Sequence, residues 1–337
     1  MKRYLVSLAL LAAITIGEAG DISRKGTTGA DQLLIPVGAR SISTAGAFLS
    51  NTYGAEAIYY NPAGLAGSTR SEVLFSYMNY FADINISYFA TGFNVGDIGT
   101  FGISYKAIDF GNIPVTTESN PEGTGANYSP AYYTLGFTYA KTVTDRVRAG
   151  VTMKYISEGI MSTRAQGLGF DFGVQYKFVG DLSIGVAIKN IGADMVYEGQ
   201  DLENRTTVPG GAPNTNGNAL FSPVVEAFQL PSYFELSSVY SFNFNDNNLL
   251  MVGTTFQNNN ALEDQLKLGT EYKFMNLLSL RAGYDYLLQN QNTNQYGLDY
   301  GVGIEYSMDS FLVNLDYAYR SMKDFSGNHV FAVKLSF

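Results

Sequence analysis

The stretch His329-Val330-Phe331-Ala332-Val333-Lys334-Leu335-Ser336-Phe337 alternates almost without fault. Side chains of a β-strand point to opposite faces with a period of two, so Phe331, Val333, Leu335 and Phe337 share one face while Ala332, Lys334 and Ser336 share the other. One face suits hydrocarbon and the other suits water. Upstream, Val147, Ala149, Val151, Met153 and Tyr155 interleave with Arg146, Arg148, Gly150, Thr152 and Lys154 in the same way. Lipid cannot satisfy backbone N–H and C=O groups, so a membrane structure built from such strands must close on itself and leave no edge.

Composition agrees with that expectation. A chain of 337 residues fits one all-β barrel without a second domain. The 25 Tyr, 22 Phe and 36 Gly, with no Trp and a mean hydropathy near zero, resemble neither a helical membrane protein nor a disordered chain. No interior run approaches the ~18 apolar residues of a membrane-spanning helix, so any crossing is made by strands. A net charge of −9 argues against a partner held by nucleic-acid phosphates. With no Cys, neither a disulfide framework nor a lipidated cysteine anchor is available.

Lys2 and Arg3, the apolar run from Tyr4 to Ile16 and the small residues of Gly17-Glu18-Ala19 read as a cleaved signal peptide over residues 1–19. The mature chain then begins at Gly20. Losing two bases and one acid takes its charge to −10. Alternation and turn residues together place about fourteen strands in a transmembrane, antiparallel up-and-down barrel over residues 71–337. The clearest strands are 170–178, 266–274, 278–288, 296–306 and 311–319. Short connections are expected at Gly96-Asp97, Thr144-Asp145, Gly180-Asp181, Asn245-Asp246-Asn247, Met275-Asn276 and Met308-Asp309. Longer polar ones fall at 111–129, 157–166, 192–229, 257–264, 289–295 and 321–328, with the first hairpin, 80–83, a short exception. Short turns at one end and long loops at the other are the periplasmic and extracellular sides of an outer-membrane barrel.

The polar face carries Arg146, Arg148, Lys154, Glu271, Arg281, Asp285 and Glu305, charges of both signs able to pair across a lumen, with Lys177, Lys267, Lys273 and Asp299 beside them. Gly150, Gly173, Gly269, Gly283, Gly301 and Gly303 on that face leave room for something inside. Residues 20–70 lack alternation, are rich in Gly, Ala, Ser and Thr, and are expected to be that occupant, a hatch or plug segment. Within it, Ala55 to Leu65 reads as a short helix ended before Pro62, because the residue preceding a proline is biased away from helix.

The start Gly38-Ala39-Arg40-Ser41, the run Ala45-Gly46-Ala47 and the motif Asn61-Pro62-Ala63-Gly64-Leu65 resemble the PorV/PorQ outer-membrane proteins, within the wider FadL-like superfamily of long-chain fatty-acid transporters. Tyr60 stands where that family often has Trp, so an aromatic is kept. The resemblance implies that the motif lines the lumen. It also implies one of two functions. The first is a component or adaptor of type IX-like protein secretion and surface attachment, with translocon and secreted proteins as partners. The alternative is passive transport of hydrophobic small molecules across the outer membrane of a diderm bacterium.

Nothing in the sequence reads as an enzyme, cofactor or metal site. His329 is the single histidine, too few for a multi-histidine site, and no nucleophile-elbow pattern accompanies the nearby Ser326 and Ser336. Gly167-Leu168-Gly169-Phe170 leads into no helix and so is no phosphate loop. Asp201 and Glu203 match no calcium-loop spacing. Two other features point to partners. The connection 192–229 holds Leu220, Phe221, Val224, Val225 and Phe228, an apolar set suited to covering the barrel mouth or receiving a hydrophobic ligand or partner segment. Phe331, Val333, Leu335 and Phe337 form a terminal strand signal for the barrel assembly machinery, and outer-membrane lipid is the expected surrounding.

Overall fold

Fourteen strands form the wall of the molecule in the computed structural model, which describes residues 22–207, 218–308 and 310–337. Residues 1–19, expected to be a signal peptide, the expected start at Gly20 and the pairs Val208-Pro209 and Ala212-Pro213 lie outside the described residues, as do the side chains of Leu220 and Phe221. The first seven strands are β1 (Glu72–Asn79), β2 (Asn85–Asn94), β3 (Thr100–Asp109), β4 (Ala131–Thr144), β5 (Val147–Ile160), β6 (Thr163–Lys177) and β7 (Leu182–Gly192). The second seven are β8 (Tyr233–Asn245), β9 (Asn248–Asn259), β10 (Gln265–Phe274), β11 (Leu278–Leu287), β12 (Tyr296–Met308), β13 (Phe311–Met322) and β14 (Asn328–Ser336). Each pairs antiparallel with its neighbours in sequence, and β14 pairs with β1 through Val333 opposite Phe75 and Phe331 opposite Tyr77. The wall is thus a closed up-and-down barrel with no free edge.

The alternation read from sequence appears directly as burial. Phe331 and Val333 are 51% and 40% exposed on the outside, whereas Val330 and Ala332 are 0% and 5% exposed within. Phe75, Ile103, Phe137, Leu280, Ile304 and Leu315 continue the exposed apolar surface around the wall. An apolar surface this continuous is stable only against another nonpolar phase. Among the described residues no helix is long and apolar enough to cross a bilayer.

Turns of few residues join the strands at 145–146, 178–181, 246–247 and 275–277, Asp309 of the connection expected at Met308-Asp309 lies outside the described residues, and the longer connections at the other end include 110–130, 193–207 with 218–232, and 288–295. One expected long loop is absent. Residues 157–166 continue β5 and β6 to a two-residue turn at Met161-Ser162, because Glu158 keeps the inward phase of Thr152 and Ile156 and the ladder runs on unbroken through Ser157 opposite Gln166 to Ile160 opposite Thr163. Two loops carry small hairpins, Ile113–Pro114 with Asn127–Tyr128 and Asn204–Thr207 with Asn218–Phe221.

Residues 31–67 fill part of the barrel. They run as short turns: Asp31–Leu34, Ala39–Ile42, Gly54–Glu56, Ala57–Tyr60 and Pro62–Gly67. Asn61 is extended (φ −147°, ψ 106°), so the helical turn stops where the following proline requires it. Inward glycines of the wall receive this segment: a Cβ on Gly173 would lie 2.0 Å from Asn61 Oδ1, one on Gly150 2.5 Å from the Pro62 backbone, and one on Gly283 2.3 Å from the Thr44 backbone. Backbone therefore packs against backbone at Gly150 and Gly283, and the Asn61 amide against backbone at Gly173, approaches that any side chain on these positions would prevent.

Candidate functional site

Asn61 is fully buried and joins the inner segment to the wall. Its Nδ2 donates to the carbonyls of Val174 on β6 and Val186 on β7 at 3.2 and 3.3 Å, while its Oδ1 accepts from Ala63 N at 3.1 Å and caps the turn that Pro62 begins. Leu65 reaches Gly92 and Gly102 on β2 and β3, and Gly64 lies so close to the Thr52 carbonyl that a Cβ would sit 2.1 Å from it. Ala63 is wholly enclosed. All five motif residues therefore lie inside the barrel.

The inward charges form separate clusters. Arg281 joins Asp316 at 2.6 Å and Glu271 at 3.3 Å, and Glu271 also meets Arg40 of the inner segment at 3.0 Å. Gly303 makes room for this guanidinium, since a Cβ there would fall 2.7 Å from it. Lys154 pairs with Asp171 at 2.6 Å. Glu305 binds Lys273 and Asn314 at 2.8 and 2.9 Å toward the short-turn end. Arg148 stacks over the Tyr53 ring at 5.1 Å. Arg146 departs from the sequence reading: it is exposed in the two-residue turn between β4 and β5, because the alternation of β5 begins only at Val147. Asp285 belongs to no ion pair among the described residues and faces a cavity instead.

That cavity, 510 Å³ in volume, lies between the inner segment and the long-loop end of the barrel. Tyr80, Phe81, Ile84 and Phe110 come from the loop end, and Ile35, Pro36, Ile42 and Tyr59 from the segment. The volume is within the ~300–1,000 Å³ of small-molecule sites. Its polar side is a row of strand residues: Glu235, Gln257, Lys267, Asp285, Asp299 and Arg320. Lys267 is occupied by Glu235 at 3.0 Å and by Gln257, and Arg320 lies 3.4 Å from the centre of the Tyr296 ring. Tyr296 in turn shares a 3.0 Å hydroxyl contact with Tyr80.

Lys189, fully buried on β7, faces three aromatic rings: Tyr59 at 4.1 Å, Tyr233 at 5.1 Å and Tyr60 at 5.9 Å. Cation–π attraction is strongest where water is excluded, as here. Burial raises the phenols of Tyr59 and Tyr60 well above their usual values, so both stay protonated and donate to the Leu33 and Val37 carbonyls at 3.0 and 2.8 Å. Lys106 donates to the Gln32 and Ile35 carbonyls. Side chains of the wall and of the helical turn thereby hold residues 32–37 as one side of the cavity.

Sequence reading identified Lys267, Asp285 and Asp299 on the polar face but missed Lys106, Lys189, Glu235 and Arg320. Each lies in phase with inward neighbours on its strand, and that parity was the available signal. Of the loop set, Phe228 packs against Tyr197 with ring centres 5.4 Å apart and covers Gly29, Val225 is partly buried, and Val224 is 97% exposed. The loop therefore docks on the start of the inner segment through Phe228 and leaves Val224 in the open.

A closed fourteen-strand barrel with a folded segment in its lumen defines the class of architecture. Solved structures share it. The chain is similar to the CymD monoaromatic hydrocarbon channel (13% identity, covering 90% of this chain and 97% of that one, TM-score 0.57). It is also similar to a Pseudomonas aeruginosa FadL homologue (14%, 90% and 98%, 0.55) and to the Ralstonia pickettii toluene transporter TbuX (15%, 90% and 98%, 0.55). No protein-family model matches the chain, and no curated protein matches it. At these identities the likeness is one of fold.

Proposed function

We propose that this protein is a non-enzymatic barrel of a bacterial outer membrane that passes hydrophobic small molecules through its lumen. The 510 Å³ aromatic-walled cavity enclosed between the loop end and the inner segment carries this reading. Barrels of the same architecture that bear the names of hydrocarbon channel and toluene transporter support it. Residues 20–70 act as the hatch, with Asn61 to Leu65 as its attachment to β2, β3, β6 and β7, and passage requires that attachment to shift. Phe331, Val333, Leu335 and Phe337 present the terminal strand to the assembly machinery.

The Asn61-Pro62-Ala63-Gly64-Leu65 resemblance to PorV/PorQ supports a second reading, a type IX secretion adaptor, for which the exposed Val224 offers a partner contact. The compared structures favour transport over it. Paired measurements in the native diderm host, with the gene deleted and restored, separate the two. Transport predicts that deletion slows entry of a labelled alkylbenzene across the outer membrane and leaves the secreted proteome unchanged. Unchanged entry with loss of secreted proteins would contradict it and select the adaptor.

A further inference from the structure

We propose that the cavity selects hydrophobic molecules that carry one neutral hydroxyl, the phenol class, and that Asp299, Asp285 and Arg320 hold that hydroxyl. The inference rests on the transport reading and names its substrate class.

The charged row leaves hydrogen-bonding capacity unused. Asp299 on β12 lies opposite Arg320 on β13 and diagonal to Asp285 on β11, and Asp285 lies opposite Lys267. Lys267 is directed to Glu235 and Gln257, and no ion pair joins it to Asp285. Arg320 meets Asp299 only at 3.8 Å, through Oδ2, and places its guanidinium on the Tyr296 ring. Besides Glu235 Oε2 farther along the row, three neighbouring atoms remain without a hydrogen-bond partner among the described residues: Asp285 Oδ1, Asp299 Oδ1 and Arg320 Nη1. Their residues are 5%, 1% and 8% exposed, and all three line the cavity. Buried polar atoms of this kind are costly unless something satisfies them.

Two of these atoms accept a hydrogen bond and one donates. A hydroxyl does both at once: its single O–H goes to one of the two carboxylate oxygens and its lone pairs receive from Arg320. A carboxylate ligand would suit Arg320 but would bring negative charge against Asp285 and Asp299. An ammonium ligand would suit the acids but leave Arg320 unanswered. Of the seven charged groups that line the cavity, Asp31 is exposed and the other six, Lys189, Glu235, Lys267, Asp285, Asp299 and Arg320, sum to zero formal charge, so the interior favours neither ion. The rest of the wall, with Tyr80, Phe81, Phe110 and Tyr296, suits an aromatic or alkyl body.

The test is titration calorimetry on the full-length protein in detergent with 4-ethylphenol, ethylbenzene, 4-ethylanisole and 4-ethylbenzoate, together with Asp299→Leu. The expected result is 4-ethylphenol binding about ten-fold or more tighter than ethylbenzene and 4-ethylanisole, the scale of a hydrogen bond to a charged group, with that ratio reduced in Asp299→Leu. Heat-modified gel migration verifies that the variant has folded, and should it not fold, the wild-type ratio alone decides. Equal affinity for the phenol and ethylbenzene would overturn the hydroxyl selection while leaving hydrophobic transport intact. Tightest binding of 4-ethylbenzoate, or a folded Asp299→Leu that keeps the full ratio, would also overturn it. No binding of any of the four would overturn both the selection and the transport reading.

Discussion

The two faces of the barrel wall are built from the same strands yet follow opposite rules. Outside, Leu315, Phe331 and Leu335 stand half exposed, with no partner beyond the neighbouring strand. Inside, Glu271, Arg281 and Asp171 are almost wholly enclosed in specific pairs. A water-soluble protein would reverse this arrangement. The outer face therefore depends on a property, apolarity in phase, and tolerates exchange of one hydrophobic residue for another. The inner face depends on identities, since outside the cavity its buried charges answer particular partners.

The largest effect expected from this contrast is on the inner face. Arg281→Met leaves Asp316 and Glu271 enclosed with half their compensation gone, and breaking a buried pair of this kind costs about 3–5 kcal/mol. Urea unfolding of the refolded barrel in lipid vesicles measures it. A loss below about 1 kcal/mol would show that water reaches the cluster.

Leu315→Arg on the outer face is expected to cost slightly less, about 2–4 kcal/mol near the bilayer midplane, and to slow insertion. The same assay reads it, and full tolerance would mean that no hydrocarbon covers that face. Next comes the contact between wall and inner segment. Gly150→Leu drives a side chain into the Pro62 backbone, an overpacking worth about 1–3 kcal/mol, and should displace the turn that Pro62 begins. Faster limited proteolysis near residues 61–67 of a barrel that is still folded would be its sign.

How much of this was visible beforehand follows from the same contrast. The outer face was legible because a period of two needs no knowledge of partners, and β10, β11 and β12 fall close to where alternation placed them. Inward glycines signalled an occupied lumen, and Asn61-Pro62 marked the end of a helical turn. Arg146 was misplaced because alternation carries no mark for where a strand yields to its turn. Residues 157–166 were misread because Ser157, Glu158, Arg164 and Gln166 put polar groups on both faces of the extended hairpin, which in sequence looks like a loop. The cavity was illegible: Lys189, Tyr59 and Tyr233 meet through strand closure and the path of the inner segment, neither of which local pattern encodes.

The smallest effect lies outside the membrane, where Lys25 reaches Glu263 at 3.2 Å. Burial alone would raise this carboxyl, but backbone hydrogen bonding and Lys25 outweigh it and hold it below its ordinary 4.5. A depressed folded value means that the contact's stabilisation is complete above about pH 4.5 and fades as pH falls through the lower folded value. For a half-exposed partner the gain is below about 1 kcal/mol. Hydrogen exchange at residues 24–29 should therefore rise modestly on acidification, and a rise beginning above pH 6 would assign it to another group.

The absence of cysteine makes the central contrast open to direct measurement, because each introduced thiol is the sole site for a spin label. Labels placed singly at positions 330 to 335 of the protein in lipid vesicles report collision with oxygen, which concentrates in hydrocarbon, and with a water-soluble nickel complex. High oxygen and low nickel accessibility at 331, 333 and 335, with low oxygen accessibility at 330, 332 and 334, is the predicted period of two. Uniform nickel accessibility along the strand, or the opposite phase, would contradict a wall with lipid outside and a packed polar interior.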